Sequence, residues 1–283
     1  MSKHYPTLIK TATDVPLTIA VKAIDENGEQ VDKHIACERP LTVYLNWQPI
    51  VTLMTLGARA ESLALGYLKN QGFISQLDKL ESIIVDWEVS SAAIITKENT
   101  LDLEEKLSKK TVTSGCGQGT VYGGFMDGLD EINLPQRQIK QSMIYSLLNN
   151  INDYNETYKH AGAVHGCGLC LDDQIIDFVE DVGRHNAVDT LAGEMWLKET
   201  CGEDKLFYTT GRLTSEMVIK VAKMGIPILL SRSGATQMGL ELAQQMGITM
   251  IARAKGKHFL IYNGADNIEF DAIPPKRPSK NKS

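Results

Sequence analysis

Long apolar runs are missing from this chain. Its longest, Ile226 to Leu230 and Ala92 to Ile95, span four or five residues, far short of the roughly 20 that a membrane-crossing helix needs. The first twenty residues hold no continuous hydrophobic segment of the kind a secretory leader requires. Cysteine is scarce and odd in number, five in 283 residues. That argues against a disulfide framework and for free thiols in a reducing cytoplasm. Basic charge is outweighed, Lys+Arg 29 against Asp+Glu 35, for a net charge of −6. Four of those basics sit in the last eight residues, KRPSKNKS, so the remainder stands at −10. A body this acidic is a poor general nucleic-acid binder. Neither membrane nor nucleic acid is therefore an expected partner. The phosphate-binding fingerprints GxxxxGK[ST] and strand-to-helix GxGxxG are absent as well.

What remains is an ordinary globular composition, 43% apolar and 23% charged, in a chain long enough for one large or two modest domains. Short apolar or alternating runs at Val15 to Ala23, Leu41 to Leu45 and Pro49 to Leu53 predict strands. Ala60, Leu63, Ala64, Tyr67 and Leu68 recur at helical spacing and Gly72 marks that helix's end. Ser82 to Val85 and Ala92 to Thr96 add two strands, completing an α+β domain over 1–110. Glycine occupies positions 115, 117, 119, 123, 124 and 128, which predicts a loop across 114–128. An amphipathic helix follows, with Met143, Ile144, Leu147, Leu148 and Ile151 on one face.

From residue 160 strands and helices alternate. Strands are predicted at Ala163 to Leu171, Ile175 to Val179, Leu206 to Thr209, Ile226 to Leu230, Ile248 to Ala252 and Phe259 to Tyr262. The helices are one around Val188 to Trp196, Ser215 to Met224 and Thr236 to Met246. This alternation predicts an α/β domain over 111–272 with a largely parallel sheet, whose ligands sit at the strands' C-terminal ends. A basic disordered tail covers 273–283.

Four places can carry chemistry. Cys116 lies in Ser114-Gly-Cys-Gly-Gln-Gly119, where flanking glycines leave a sulfur open to attack. His165-Gly-Cys167-Gly-Leu-Cys170 has CxxC spacing, yet a strand there sends its two sulfurs to opposite faces. Glu180-Asp-Val-Gly-Arg-His-Asn-Ala-Val-Asp189 follows a strand and opens a helix. Asp181 or Asn186 can cap that helix, but capping does not account for Glu180, Arg184, His185 and Asp189 together. Thr210-Gly-Arg-Leu-Thr-Ser-Glu216 and Ser231-Arg-Ser-Gly-Ala-Thr236 are two strand-to-helix turns with Gly, Arg and hydroxyls, suited to phosphate.

The strings ERPLTVYLN, TSGCGQG, EDVGRHNAVD, TGRLTSEMV and ILLSRSGATQMGLELA resemble, in order, the FdhD/NarQ family of formate dehydrogenase accessory proteins. The resemblance runs from about residue 35 to 263. It implies a sulfur carrier. Cys116 would take persulfide sulfur from a cysteine desulfurase and pass it to the molybdenum bis-guanine-dinucleotide cofactor of formate dehydrogenase. It also implies a cytidine-deaminase-like α/β/α fold and a homodimer. The cofactor contacts it implies are Arg184, His185, Gly211, Arg212, Ser231 and Thr236, with Lys257, His258, Phe259, Leu260, Ile261, Tyr262 and Asn263 beside them.

This chain departs from the family at Gly119, where a second loop cysteine is usual, and at Ala161-Gly-Ala163, where TGG is usual. A zinc deaminase would need H-x-E with P-C-x-x-C. No histidine here has Glu two residues on, and Cys167 follows Gly166. No metal site is therefore expected. The surviving rival is a chaperone that binds the cofactor without moving sulfur.

Overall fold

Period-two burial builds the first sheet. A computed structural model describes residues 6–10, 15–97, 110–113, 119–122 and 128–274. Cys116, most of its glycine-rich surroundings and the tail beyond residue 274 lie outside the described residues. Strand β1 (Thr7–Lys10) is followed by a hairpin of β2 (Thr18–Ile24) and β3 (Gln30–Ala36). Next come β4 (Arg39–Leu45), β5 (Gln48–Thr55), helix α1 (Ala60–Asn70), β6 (Leu80–Asp86) and β7 (Ser91–Thr96).

The first sheet has the order β1-β6-β7-β4-β5. On β4 the side chains of Leu41, Val43 and Leu45 are fully buried while Thr42 and Tyr44 face outward. Asn46 and Trp47 join β4 to β5 with φ of 46° and 70°. Two consecutive left-handed residues are what a tight hairpin turn with the native twist demands. Helix α1 lies on this sheet and buries Leu63, Leu65 and Leu68 completely, each contributing about 1.5–3 kcal/mol.

Strands β8 (Lys110–Thr113) and β9 (Gly119–Tyr122) pair as an antiparallel ribbon. The predicted loop across 114–128 is therefore interrupted by a strand. Backbone pairing needs only N–H and C=O groups, which glycine supplies, and Thr120, Val121 and Tyr122 favour extended backbone.

The second sheet starts after β10 (Ile139–Lys140), helix α2 (Gln141–Asn150) and helix α3 (Glu156–Ala161). Its elements are β11 (His165–Leu171), β12 (Gln174–Asp181), α4 (Arg184–Leu197), β13 (Leu206–Thr209), α5 (Ser215–Lys223), β14 (Ile228–Ser231), α6 (Gln237–Gln245), β15 (Thr249–Lys255) and β16 (His258–Asn263). The short β17 (Ile268–Glu269) pairs with β10. The order is β12-β11-β13-β14-β15-β16.

Only β13–β14 and β14–β15 run parallel; the other three pairings are antiparallel. The sheet is mixed, not largely parallel, because two hairpins, β11–β12 and β15–β16, flank the parallel centre. One face packs Cys167, Leu169, Phe207, Leu229 and Met250 under α4, α5 and α6. The other packs Cys170, Leu206, Tyr208, Leu230 and Ile251 under α2.

Helices α1 and α4 weld the two sheets together. A Cβ at Gly66 would stand 1.8 Å from the Asp189 carbonyl oxygen, and one at Gly193 would stand 2.0 Å from that of Ser62. Only glycine lets these backbones come so close. Ser62 Oγ also donates to Glu194 Oε1 at 2.6 Å across the crossing.

Candidate functional site

The C-terminal ends of β13 and β14 carry the two turns singled out in the sequence. Their backbones zip together beyond the strands. Leu213 pairs with Ala235 as a parallel bridge, Leu213 N donates to the Gly234 carbonyl at 2.9 Å, and Thr236 N donates to the Leu213 carbonyl at 3.1 Å. This places the N-termini of α5 and α6 side by side. Ser231 locks the pair, donating to the Gly211 carbonyl at 2.6 Å and accepting from Ser233 N at 2.9 Å.

Thr236 caps α6, its hydroxyl accepting from Gly239 N at 3.2 Å. Thr214 stands in the corresponding place on α5 without a side-chain cap, and its buried hydroxyl has no hydrogen-bond partner among the described residues. Arg212, Arg232 and Arg253 are exposed around these turns. None has a carboxylate within ion-pair distance among the described residues. Adjacent helix N-termini rimmed by guanidinium groups attract anions.

The 180–189 stretch divides its labour. Glu180 accepts from the backbone N–H groups of Thr157 at 2.7 Å and Tyr158 at 3.0 Å, so it caps α3. Asp181 is buried and accepts from Thr55 Oγ1 (2.5 Å), Leu56 N (3.2 Å), Gly183 N (3.0 Å) and Asn186 Nδ2 (2.8 Å). Burial raises its pKa, against the pull of those four donors. Asn186 Nδ2 also donates to the Met54 carbonyl at 2.6 Å. Neither residue caps α4 with its side chain as the sequence suggested. The N-cap position is Gly183, and Asp181 and Asn186 instead fasten β5 to the start of α4.

Arg184 turns the other way. It is buried and runs across Gly211, where a Cβ would stand 2.5 Å from its Cδ. Gly211 thus makes room for a guanidinium arm. His165 belongs to the same neighbourhood. Its Nδ1 lies 3.2 Å from Thr210 Oγ1, and its pKa is lowered by burial and by the charges of Arg184 and Arg212.

His185 heads a buried ionic chain. Its Nε2 is 3.4 Å from Glu216 Oε2; Lys220 Nζ lies 3.0 Å from Glu216 Oε1 and 2.8 Å from Asp189 Oδ2; Asn70 Nδ2 donates to Asp189 Oδ1 at 2.7 Å. Lys220 is 1% exposed. Burial alone would pull its pKa down, but Asp189 and Glu216 hold it above the ordinary lysine value. His185 is held neutral, its pKa lowered to about 3 by burial and by the Lys220 charge, with Glu216 opposing.

Lys220 and Asn70 were not foreseen as partners in this site. The one signal was a lysine set among Met217, Val218 and Val221 on an inward helix face, four residues after Glu216.

The two strand cysteines point apart, as their spacing predicted. Cys167 lies under α4, donating to Thr209 Oγ1 at 3.3 Å, and Cys170 lies on the opposite face under α2. Burial pushes each thiol up to about 12. Such thiols carry almost no thiolate near neutral pH. Among the described residues no group of three or more His, Cys, Asp or Glu is gathered as metal ligands are.

The 257–263 segment is half structural. Phe259 and Ile261 pack into the α2 face, and Asn263 Nδ2 donates to the carbonyls of Ala243 and Ile248. Lys257, His258, Leu260 and Tyr262 are exposed.

Comparison with known proteins extends this picture. Residues 36–269 match the FdhD/NarQ family. A sulfur carrier protein FdhD of Wolinella succinogenes is 31% identical over 255 residues, covering 88% of this chain and 87% of its own. One from Bacillus subtilis is 29% identical over 248 residues, covering 86% and 94%. Another, from Listeria monocytogenes serotype 4b, is 29% identical over 243 residues, covering 85% and 93%. A crystal structure named as a formate dehydrogenase accessory protein, from Desulfotalea psychrophila, superposes with a TM-score of 0.73 at 28% identity, covering 90% of this chain and 100% of that one. A mixed α/β fold shared over nine tenths of its length, and a match spanning both sheets and the paired turns, establish that this chain belongs to the FdhD/NarQ family.

Proposed function

We propose that this protein is a sulfur carrier for the maturation of formate dehydrogenase, with Cys116 as the carrying residue. The observation that supports it is the rim of three exposed arginines around two adjacent helix N-termini, in a chain whose relatives are named sulfur carriers. Such a rim suits the phosphates of a guanine-dinucleotide molybdenum cofactor, the substrate of the transfer.

In the first step the Cys116 thiolate attacks the outer sulfur of a desulfurase persulfide. A new S–S bond forms, the old one breaks, and the desulfurase cysteine leaves as thiolate. In the second step a bond forms between the cofactor and the outer sulfur, the S–S bond breaks and Cys116 leaves as thiolate, the two electrons that bring the sulfur to the sulfide level coming from the reduced cofactor. Only one cysteine is needed for this exchange, so Gly119 in place of a second loop cysteine does not stop it. The carrier acts as a cytoplasmic homodimer in this reading. Its domains are an N-terminal α+β unit to residue 110 and a cytidine-deaminase-like α/β/α unit to residue 272.

Mass spectrometry after incubation with a cysteine desulfurase and cysteine tests the carrier. A gain of about 32 Da, one sulfur atom, on the peptide containing Cys116 is expected. Cys116→Ala should lose both the adduct and dehydrogenase maturation in cells lacking the native accessory protein. Full rescue by that variant would leave a cofactor-binding chaperone instead. Arg212→Ala should weaken GDP binding by one to two powers of ten, from the loss of a charge-assisted contact worth roughly 1.5–3 kcal/mol.

A further inference from the structure

One arginine of the rim is there because strand alternation breaks. On β15, Met250 and Ala252 pack under α4, α5 and α6, and Ile251 packs under α2. Strict alternation would put Arg253 beside Ile251 in the α2 core and Ala254 on the other face. The register with β16 slips between Ala252 and Lys255, which inserts one extra residue on β15. After the slip it is Ala254 that packs in the α2 core, and Arg253 is exposed.

The bulge ties Arg253 to the second turn. Its backbone N–H donates to the Ser233 carbonyl at 2.7 Å, and its Nη1 stands 4.0 Å from where a Cβ on Gly234 would be. The guanidinium therefore lies against the turn that leads into α6. It makes no ion pair and no side-chain hydrogen bond among the described residues. The backbone at Arg253 has a φ of 53°. That is the left-handed region, where a bulge residue of this kind is ordinarily glycine. Glycine would make the same bulge and the same bond to Ser233 with less backbone strain. What it would not supply is the guanidinium. The fold thus holds a side chain in a costly conformation beside an anion-attracting turn, and does not use that side chain for its own packing.

We propose that Arg253 grips a phosphate group of the ligand at the N-terminus of α6, and that the β15 bulge delivers it there. The proposal rests on the reading of the two turns as a nucleotide-binding rim. A guanidinium offers a phosphate two parallel N–H donors in a fixed fork, which a lysine ammonium does not. Arg212 and Arg232 belong to the turns themselves, whereas Arg253 comes from the next strand and is anchored through its backbone to Ser233. In the sequence Arg253 follows ordinary alternation through Thr249–Lys255; only the slipped register takes it out of the core.

GDP binding, by calorimetry and equilibrium dialysis, and urea unfolding of the full chain test this together on Arg253→Gly, Arg253→Ala and Arg253→Lys. In Arg253→Gly, GDP should bind roughly ten- to a hundredfold more weakly, the loss of one charge-assisted contact. The urea midpoint of the same variant should rise by about 0.3 M as the strain is relieved. Arg253→Ala keeps the left-handed backbone, so it should lose affinity equally with no rise in midpoint. Arg253→Lys keeps the charge without the fork and should bind GDP with an affinity between those of the wild type and Arg253→Ala. Wild-type affinity in Arg253→Gly or Arg253→Ala overturns the proposal; if Arg212→Ala still weakens GDP, the nucleotide reading survives with its phosphate at the first turn. A lowered midpoint in Arg253→Gly shows that the arginine does not strain the bulge and overturns delivery at a cost to the fold. Lysine as good as arginine overturns the forked grip. A wild type that does not bind GDP overturns the nucleotide reading and with it the ligand assigned to Arg253.

Discussion

The junction between the sheets and the rim of the second sheet treat charge in opposite ways. At the junction each charge is matched. Asp181 accepts four hydrogen bonds, Asp189 holds Lys220 and Asn70, and Arg59 reaches Asp177 at 2.7 Å. At the rim Arg212, Arg232 and Arg253 stand exposed with no carboxylate in reach among the described residues. Buried charges must satisfy one another because desolvation would otherwise exceed any gain. Exposed ones lose little by waiting for a ligand. The difference teaches that the carboxylates of the 180–189 string hold the fold together, while the unmatched charge of the rim comes from Arg212, Arg232 and Arg253 on other elements. A reading that assigns all of its charges to ligand handling puts the carboxylates in the wrong role.

The contrast can be broken most sharply at Asp189. Asp189→Ala strands the Lys220 ammonium beside Glu216 alone and leaves the Asn70 amide without its acceptor. It should cost about 3–5 kcal/mol in urea unfolding. Arg212→Ala at the rim should change stability by less than about 0.5 kcal/mol. Similar costs for the two variants would erase the distinction.

His185 belongs to the buried ionic chain, and its pH dependence has a definite sign. Its folded pKa, about 3, lies below the ordinary 6.5. The unfolded chain therefore takes up the proton first as the solution is acidified. The stability this residue contributes is complete above pH 6.5 and drains as the pH falls toward 3. One such group changes stability by at most about 1.4 kcal/mol per pH unit, or roughly 2 kcal/mol between pH 6.5 and 5. Denaturant titrations at those two pH values should show this loss in the wild type and less of it in His185→Gln. Equal losses in both proteins would remove His185 as the cause.

A smaller effect belongs to the rim's architecture. Thr236→Ala deletes the hydroxyl that caps α6 and should cost about 1 kcal/mol, while Thr214→Ala on α5, where no capping bond exists, should cost less. The smallest expected effect is on sulfur loading by Cys167→Ala with Cys170→Ala. With both thiols pushed up to about 12 and facing opposite sides of the sheet, the double variant should load Cys116 as the wild type does. Peptide mapping should find iodoacetamide on the exposed Cys201 and not on either strand cysteine until the protein unfolds. A cross-link from Cys116 to Cys167 or Cys170 after mild oxidation would show that one of them is within reach after all.

The sequence by itself determined the local elements. The helical spacing of Ala60 to Leu68 became α1, and the runs at Leu206, Ile248 and Phe259 became strands within a few residues of their expected ends. Gly72, Gly225 and Gly247 all sit at positive φ where a helix was expected to stop. The separation of Cys167 from Cys170 followed from strand alternation alone. These features depend on neighbours a few residues apart, and such neighbours are visible in any linear reading.

Tertiary structure decided the rest. It paired β11 and β16 antiparallel beside a parallel centre, and it found Gln30–Ala36 as a strand where the largely exposed side chains left no clear alternation. It set Gly66 and Gly193 at a helix crossing and brought Asn70 to Asp189 across 119 positions of sequence. It also made His185 neutral, by burying the ring and by setting it near Lys220 of a different helix. Local periodicity says which face of an element is buried, but not which element it is buried against. The partner, and with it the charge state of every buried group, is settled only when the helices and sheets pack.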